Sequence, residues 1–148
     1  MIRALLTGLP VLIFCVALQA IFVGVTLRWF AQRRRTRANP THWANVLLLS
    51  AVMLLMLFGN FMQMAGWAVL FLALGEFSDY ATALYHSAVN FSTLGYGDVV
   101  MSPRWRLLGP VEAANGILMF GVSSAVMTAS VIELLKAAQA KNQSSNGG

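Results

Sequence analysis

Charge is scarce in this chain, and acidic charge most of all. Only 10% of its 148 residues are charged, and five acidic residues stand against ten lysines and arginines. The acids are scattered and no serine lies in the context of a catalytic nucleophile, so the sequence carries no enzyme signature. Its single cysteine, Cys15, cannot form a disulfide within the chain. These absences argue against an enzyme and against an intrachain disulfide.

Long apolar runs take the place of charge. Apolar residues make up 58% of the chain, and its mean hydropathy of +0.69 is too high for a soluble domain of this size. Three runs, 4–27, 44–75 and 107–135, each reach the roughly 20 residues that cross a hydrocarbon core of about 30 Å. The first run resembles a signal peptide as far as Ala20 but continues beyond it, which favours a retained helix. The sequence therefore predicts an all-α membrane protein with three transmembrane helices.

Amide and small side chains within these runs predict helix-packing faces. Gln19 is the lone amide of the first run, and we expect it to face a neighbouring helix. Asn60 and Gln63, together with the glycines at 59 and 66, mark a packing face on the second run.

The basic residues predict how the chain is oriented in the membrane. Five arginines and no acid lie between residues 28 and 37, which places this segment in the cytoplasm. The N-terminus is then outside and the C-terminus is cytoplasmic. The arginines cluster beyond the end of a span instead of recurring within it, which favours lipid contact over voltage sensing and explains the net charge without nucleic acid. The expected contacts with anionic lipid are at Arg33, Arg34, Arg35 and Arg37.

A short segment and a glycine-containing loop separate the second and third runs. Residues 79–91 follow a potential N-cap at Ser78 or Asp79 and are too few to cross a bilayer. In the loop that follows, Gly95 and Gly97 permit backbone angles closed to other residues, so that successive carbonyls can point to one side. A single ladder of oxygens cannot surround an ion, and the chain holds one copy. Four chains around an axis are therefore implied.

The loop resembles the potassium-channel signature T-V-G-Y-G-D. Thr93, Gly95, Tyr96, Gly97 and Asp98 are identical to it, and Leu94 stands where the family usually has Val or Ile. The resemblance implies a tetrameric channel with a re-entrant pore helix, which conducts K⁺ passively in a bacterial inner (plasma) membrane and needs no cofactor besides the permeant ion. It implies that K⁺ binds the carbonyls of Thr93, Leu94, Gly95 and Tyr96, that Gly97 forms the outer end of the filter, and that Asp98 lies at the external mouth.

The expected organisation follows from these assignments. Residues 1–28 form a peripheral transmembrane helix, 29–43 a basic cytoplasmic loop, 44–138 the pore module and 139–148 a flexible cytoplasmic tail. Within the pore module we expect an outer helix at 44–75, a pore helix at 79–91, a filter at 92–98 and an inner helix at 108–138. Asn39 and Pro40 are typical of the start of the second helix, and Pro110 of the third.

Four residues around the loop have roles that the sequence leaves open. Gly116 and Gly121 are either a hinge of the inner helix or sites of close packing. His86 either bonds to Tyr96, Asp98 or Glu112 and gives an external pH response, or is a satisfied packing histidine. Together with Glu112 it is a candidate for bracing the filter.

Three other functions are compatible with parts of this pattern. A weakly selective monovalent cation channel has the same architecture. A pore-loop subunit of a potassium uptake system usually carries several such loops in one long chain, whereas this chain has one. A membrane scaffold without a transport role would not need the two filter glycines.

Overall fold

The chain is built from helices alone over the part that the structure describes. The computed structural model describes residues 2–35 and 41–146, which form four helices and no strand. Helix α1 comprises Ile2–Arg35, α2 His42–Ala73, α3 Tyr80–Phe91 and α4 Leu108–Asn146.

Three of the four helices are long and apolar enough to cross a membrane. The qualifying stretches are Ile2–Arg33, His42–Ala73 and Leu108–Gln139, each of 32 residues. At about 1.5 Å per residue, each is about 48 Å long, longer than a hydrocarbon core of about 30 Å. Helix α3 has 12 residues and is too short to cross. The prediction of three spans with one short helix between the last two is confirmed.

Helix α1 is longer than predicted. It continues to Arg35, so Arg33 lies on its last turns and not in a loop that begins at residue 29. No glycine or proline interrupts residues 28–35, and Arg, Gln and Ala are good helix formers, which explains the extension. The Arg33 guanidinium lies 5.8 Å from the centre of the Trp29 ring. The predicted helix start at Asn39 and Pro40 and the lipid contact at Arg37 lie outside the described residues.

One face of α1 is buried along the whole helix. Its buried residues form two series with steps of eleven residues, which is about three helical turns, so both series share a face. That face fits between α2 and α4: a Cβ added at Gly59 of α2 would lie 3.1 Å from the Phe22 ring, and one at Gly66 would lie 3.3 Å from Phe14. The helix predicted to be peripheral is thus packed along its length on other helices. The two series are Ala4, Cys15 and Thr26, and Gly8, Gln19 and Phe30.

Helices α2 and α3 begin and end close to their predicted limits. Helix α2 runs from His42 to Ala73, two residues earlier than predicted at each end. Gly75 follows with φ of +72°, a conformation that commonly ends a helix. Helix α3 begins after Asp79, whose carboxylate accepts hydrogen bonds from the Thr82 amide at 2.9 Å and the Thr82 hydroxyl at 2.8 Å. These bonds hold the pKa of Asp79 below its ordinary value and fix the start of α3.

Helix α4 also extends further than predicted. It begins at Leu108, with Pro110 inside the first turn, where the missing N–H costs no intrahelical bond. It ends at Asn146, so the segment predicted as a flexible tail from residue 139 is helical up to that point. The reason lies in the run Lys-Ala-Ala-Gln-Ala-Lys at 136–141, in which every residue favours a helix.

The core lies where the four helices meet. Trp67 and Phe71 of α2, Phe91 of α3, and Leu108 and Met119 of α4 are all at most 2% exposed and belong to one cluster. This cluster fixes the end of α3, and hence the start of the loop after it, against the two long helices.

Candidate functional site

The loop Ser92–Asp98 follows α3 directly and is exposed throughout on the single chain. Its backbone alternates between left-handed and right-handed conformations. The angle φ is +60° at Thr93, +61° at Gly95 and +76° at Gly97, and it is not positive at Leu94 and Tyr96 between them. Glycine adopts positive φ freely, but a threonine rarely does, at a cost of about 1–3 kcal/mol. Such alternation turns successive peptide planes, so that their carbonyls do not alternate between two sides as they do in a regular strand.

Hydrogen bonds to α3 fix the direction of the first carbonyls of the loop. The amides of Thr93 and Leu94 donate to Asn90 and Val89 carbonyls at 2.8 and 2.9 Å, and the amide of Gly95 donates to Val89 at 3.3 Å. All described peptide bonds are trans, and in a trans peptide the C=O points opposite to the N–H. The carbonyls of Ser92, Thr93 and Leu94 therefore all face away from α3. Of the four carbonyls in the predicted set, these bonds orient those of Thr93 and Leu94.

Asp98, at the far end of the loop, is held by a residue that the sequence analysis did not single out. The hydroxyl of Tyr85 on α3 donates to Asp98 Oδ2 at 2.6 Å. That bond is the largest cause that lowers the pKa of Asp98 below its ordinary value, so the carboxylate is ionised at neutral pH. Nothing in the local sequence pairs Tyr85 with Asp98, which follows it by 13 residues. The fold brings the two side chains together.

Of the two roles that the sequence leaves open for His86, the structure favours that of a packing residue. Its Nδ1 lies 2.9 Å from the Val99 carbonyl, which only accepts, and its Nε2 lies 2.8 Å from the Asn90 side-chain nitrogen, which only donates. These two contacts fit a neutral ring with its proton on Nδ1, and among the described residues the ring has no hydrogen bond to Tyr96, Asp98 or Glu112. Burial is the largest cause that lowers the pKa of His86. The structure favours the packing interpretation, with Val99 tied to α3.

Glu112 connects three helices behind the loop. Its side chain is fully buried, and its Oε1 is bonded to Ser87 Oγ of α3. The same Ser87 hydroxyl oxygen lies 2.8 Å from the Met64 carbonyl of α2. Glu112 thus acts on the middle of α3, and no hydrogen bond from it to the loop is present among the described residues.

The two glycines of α4 that are candidates for a hinge, Gly116 and Gly121, differ in their surroundings. A Cβ added at Gly116 would overlap the backbone carbonyl of Phe91, the last residue of α3, whereas a Cβ at Gly121 would meet nothing within 4 Å. Gly116 is therefore a site of close packing between α3 and α4. Gly121 is exposed, and its role as a hinge stays a prediction.

A loop with carbonyls on one side, which follows a short helix between two membrane-length helices, is an arrangement typical of membrane ion channels. The chain belongs to the family described as "Ion channel", whose family model matches residues 42–133. The matched region begins with α2 and ends within α4, so α1 lies outside it. Neither a curated protein nor a solved structure matches the chain. The protein is thus an integral membrane ion channel, which is a transport function.

Proposed function

We propose that the protein is a potassium-selective channel that conducts K⁺ passively through a homotetrameric pore. The observation that carries the proposal is the alternating φ from Thr93 to Gly97 within the potassium-channel signature. Together with the amide bonds to α3, it favours a row of carbonyl oxygens on one side of the loop. Rings of such oxygens replace the water around a dehydrated cation.

Four copies are needed because one loop supplies oxygens on one side only. The exposure of the loop supports the same assembly, since Leu94 and Tyr96 are 53% and 66% exposed on the single chain. Large side chains of this kind next to a conducting path are expected to be covered by a neighbour. In the tetramer, Tyr96 packs against the neighbouring subunit and sets the diameter of the rings.

The proposed path of the ion runs along the loop. K⁺ loses its water and binds the carbonyls of Thr93, Leu94, Gly95 and Tyr96, with the Thr93 hydroxyl at the innermost site and Gly97 at the outer end. At about 3.3 Å per residue the five residues cover roughly 15 Å, room for several ions in file. Repulsion between neighbouring ions keeps each site only moderately tight, so conduction is possible. The ionised Asp98 at the external mouth raises the local concentration of cations.

The proposed location is a bacterial inner membrane, with the N-terminus outside and the C-terminus cytoplasmic. In this orientation α3 is re-entrant from the outside, and Arg28 and Arg33 on the last turns of α1 lie at the cytoplasmic face. Anionic lipid there favours the arginine-rich end of α1.

Potassium flux in liposomes tests the proposal. Purified protein is expected to dissipate a K⁺ gradient, to pass much less Na⁺, to be blocked by Ba²⁺, and to have the mass of a tetramer in native mass spectrometry. Gly95→Ala is expected to abolish flux with little loss of expression, because an L residue at φ of +61° is strained by about 1–2 kcal/mol. Gly24→Ala on α1 is the matched control, since its Cβ meets nothing within 4 Å and its φ is not positive. Equal flux in both variants would contradict the proposal.

A weakly selective monovalent cation channel is the second candidate. It is favoured by Leu94, which lacks the β-branch that stiffens the family's usual Val or Ile at this place. Reversal potentials in mixed K⁺ and Na⁺ separate the two, since a selective filter shifts the reversal potential towards that of K⁺. A pore-loop subunit of a potassium uptake system is less well supported, because the chain carries a single loop.

A further inference from the structure

A layer of four polar side chains crosses the middle of the three long helices. Gln19 comes from α1, Asn60 and Gln63 from α2, and Ser123 from α4. The three amide residues are at most 3% exposed. Polar groups at membrane depth are costly unless they are paired, so this layer needs a reason to exist.

The distances within the layer show which helix is held least firmly. Gln63 Nε2 donates to Gln19 Oε1 at 2.7 Å, at the short end of the normal range. Ser123 Oγ accepts from Gln19 Nε2 at 3.2 Å and from Asn60 Nδ2 at 3.4 Å, at and beyond the long end of that range. Within this layer, the hydrogen bond between α1 and α2 is therefore the shortest, and α4 takes part through two longer ones.

The layer also contains acceptors that are free for a second arrangement. The Ser123 hydroxyl donates to the Met119 carbonyl of its own helix at 2.9 Å. Asn60 Oδ1 and Gln63 Oε1 are buried and accept no hydrogen bond from the described residues. The Ser123 hydroxyl could donate to one of these oxygens in place of the Met119 carbonyl. The exchange would pair a buried acceptor and release a carbonyl of α4, so Ser123 donates one hydrogen bond in either arrangement.

Below this layer, α1 also packs on the following part of α4. Phe30 of α1 and Val126 of α4 are buried in the same apolar cluster, with Met127 and Leu134 against it. A shift of α4 at Ser123 therefore has to move past α1. Helix α1 lies outside the region that matches the channel family, so this contact is an addition to the pore module.

We propose that Gln19 is a positioning residue for the pore-lining helix. It holds α4 at Ser123, and exchange between the two pairings of Ser123 sets the fraction of time that the pore conducts. The first helix is then a control element for conduction. The effect on current rests on the proposed function. The effect on the dynamics of α4 depends only on the layer of hydrogen bonds.

Single-channel recording with three variants tests the proposal. Gln19→Met keeps the length of the side chain without its hydrogen bonds, and Ser123→Ala removes the acceptor on α4. Gln19→Met is expected to change the open-to-closed ratio about threefold, which corresponds to the typical strength of one hydrogen bond between membrane helices. Ser123→Ala removes both pairings of Ser123, so Gln19→Met is expected to cause a smaller change in the ratio when it is added to Ser123→Ala than when it is made in the wild type. Unitary conductance and reversal potential are expected to stay as in the wild type.

Ser130→Ala is the matched control. Ser130 is buried on α4, seven residues after Ser123, and its hydroxyl likewise donates to a carbonyl of its own helix, at Val126. No hydrogen bond from it to another helix is present among the described residues, so its open-to-closed ratio is expected to match the wild type. An equal change in Ser130→Ala, or no change in Gln19→Met and Ser123→Ala, would overturn the proposal while leaving the channel function intact.

Hydrogen–deuterium exchange in nanodiscs gives a readout that does not need conduction. Gln19→Met is expected to speed exchange in α4 after Met119 about threefold and to leave α3 unchanged. If the wild type carries no current but this local change is seen, the proposed function fails and the positioning role stands. If exchange in α4 is unaltered, the positioning role fails whatever the current shows.

Discussion

Gly116 shows how closely α3 and α4 approach each other. Its missing side chain makes room for the Phe91 carbonyl at the end of α3, so Gly116→Ala must push the two helices apart. Overpacking of this kind costs about 1–3 kcal/mol. Gly121→Ala has open space for its methyl group and gains about 1 kcal/mol of helix propensity. We expect thermal melting in detergent to fall for Gly116→Ala and to hold or rise for Gly121→Ala.

The two substitutions also distinguish a packing role of these glycines from a role as a hinge in α4. Loss of current in Gly121→Ala without loss of stability would identify Gly121 as a hinge. A Gly116→Ala variant as stable as the wild type would contradict the close approach of α3 and α4.

The lowered pKa of His86 predicts how the free energy of unfolding depends on pH. Its pKa is lowered in the folded protein from the ordinary value of 6.5, so between the two values the unfolded chain binds more protons than the folded one. The free energy of unfolding is therefore expected to be constant above about pH 7 and to fall as the pH drops below 6.5. Protonation places a hydrogen on Nε2, facing the Asn90 amide nitrogen, and breaks that bond.

Melting temperatures between pH 5 and 8 check this expectation, with His86→Gln as the comparison. The acid-side loss is expected to be smaller in the variant, which does not titrate. Stability that increases on acidification in the wild type, and not in His86→Gln, would show that the ring is charged and the assigned tautomer wrong.

At the scale of the helices, Glu112 is the joint between α2, α3 and α4. Ser87 has one hydroxyl proton and two acceptors around it, the Met64 carbonyl and Glu112. Both contacts are satisfied if the group at position 112 donates to Ser87 Oγ while Ser87 donates to Met64. An amide can donate in this way, so Glu112→Gln is expected to keep near wild-type stability.

Glu112→Leu removes the donor and leaves Ser87 with one partner. It is expected to cost about 1–3 kcal/mol, the penalty for a buried polar group that loses a bond. Melting of the two variants side by side measures the difference. If Gln is as damaging as Leu, the position requires a carboxylate, and the proposed direction of the hydrogen bond is wrong.

The sequence predicted the elements of the pore region well because strong local signals mark them. Asp79 caps α3 as expected, the apolar runs give α2 and α4, and the spacing of Gly95 and Gly97 anticipates their positive φ. The ends of α1 and α4 were missed because nothing breaks the helix there, and polarity alone does not end a helix made of Arg, Lys, Gln and Ala. The partners of His86 and Asp98 were missed because they depend on how the chain returns from the loop, which no local pattern encodes.

At the scale of the whole molecule, the sequence predicted only part of how α1 packs. Gln19, Asn60 and Gln63 were expected to face other helices, and the hydrogen bonds of Gln63 to Gln19 and of Asn60 to Ser123 agree with this for all three. The buried face of α1 could have been found from the eleven-residue steps of its small and polar residues, since lipid-facing positions in a membrane helix rarely carry them. Which helices cover that face is a property of the assembled molecule.

We predict that removal of α1 lowers the stability of the remaining helices. A chain of residues 41–148 would expose Asn60, Gln63 and the bare surfaces of Gly59 and Gly66 to lipid, where amides lose their partners. The shortened chain is expected to melt at a lower temperature than the full chain, although the region that matches the channel family is intact.

Two further experiments test whether the loss of stability comes from exposure of the α2 face that α1 covers. Co-expression of residues 1–35 as a separate helix is expected to restore stability, because α1 packs through side chains that need no covalent link. Asn60→Leu with Gln63→Leu is expected to raise the melting temperature of the shortened chain and to lower that of the full chain, since the same amides are a liability in lipid and a contact under α1. A shortened chain as stable as the full one would mean that α1 is an attachment to the pore and not a part of it.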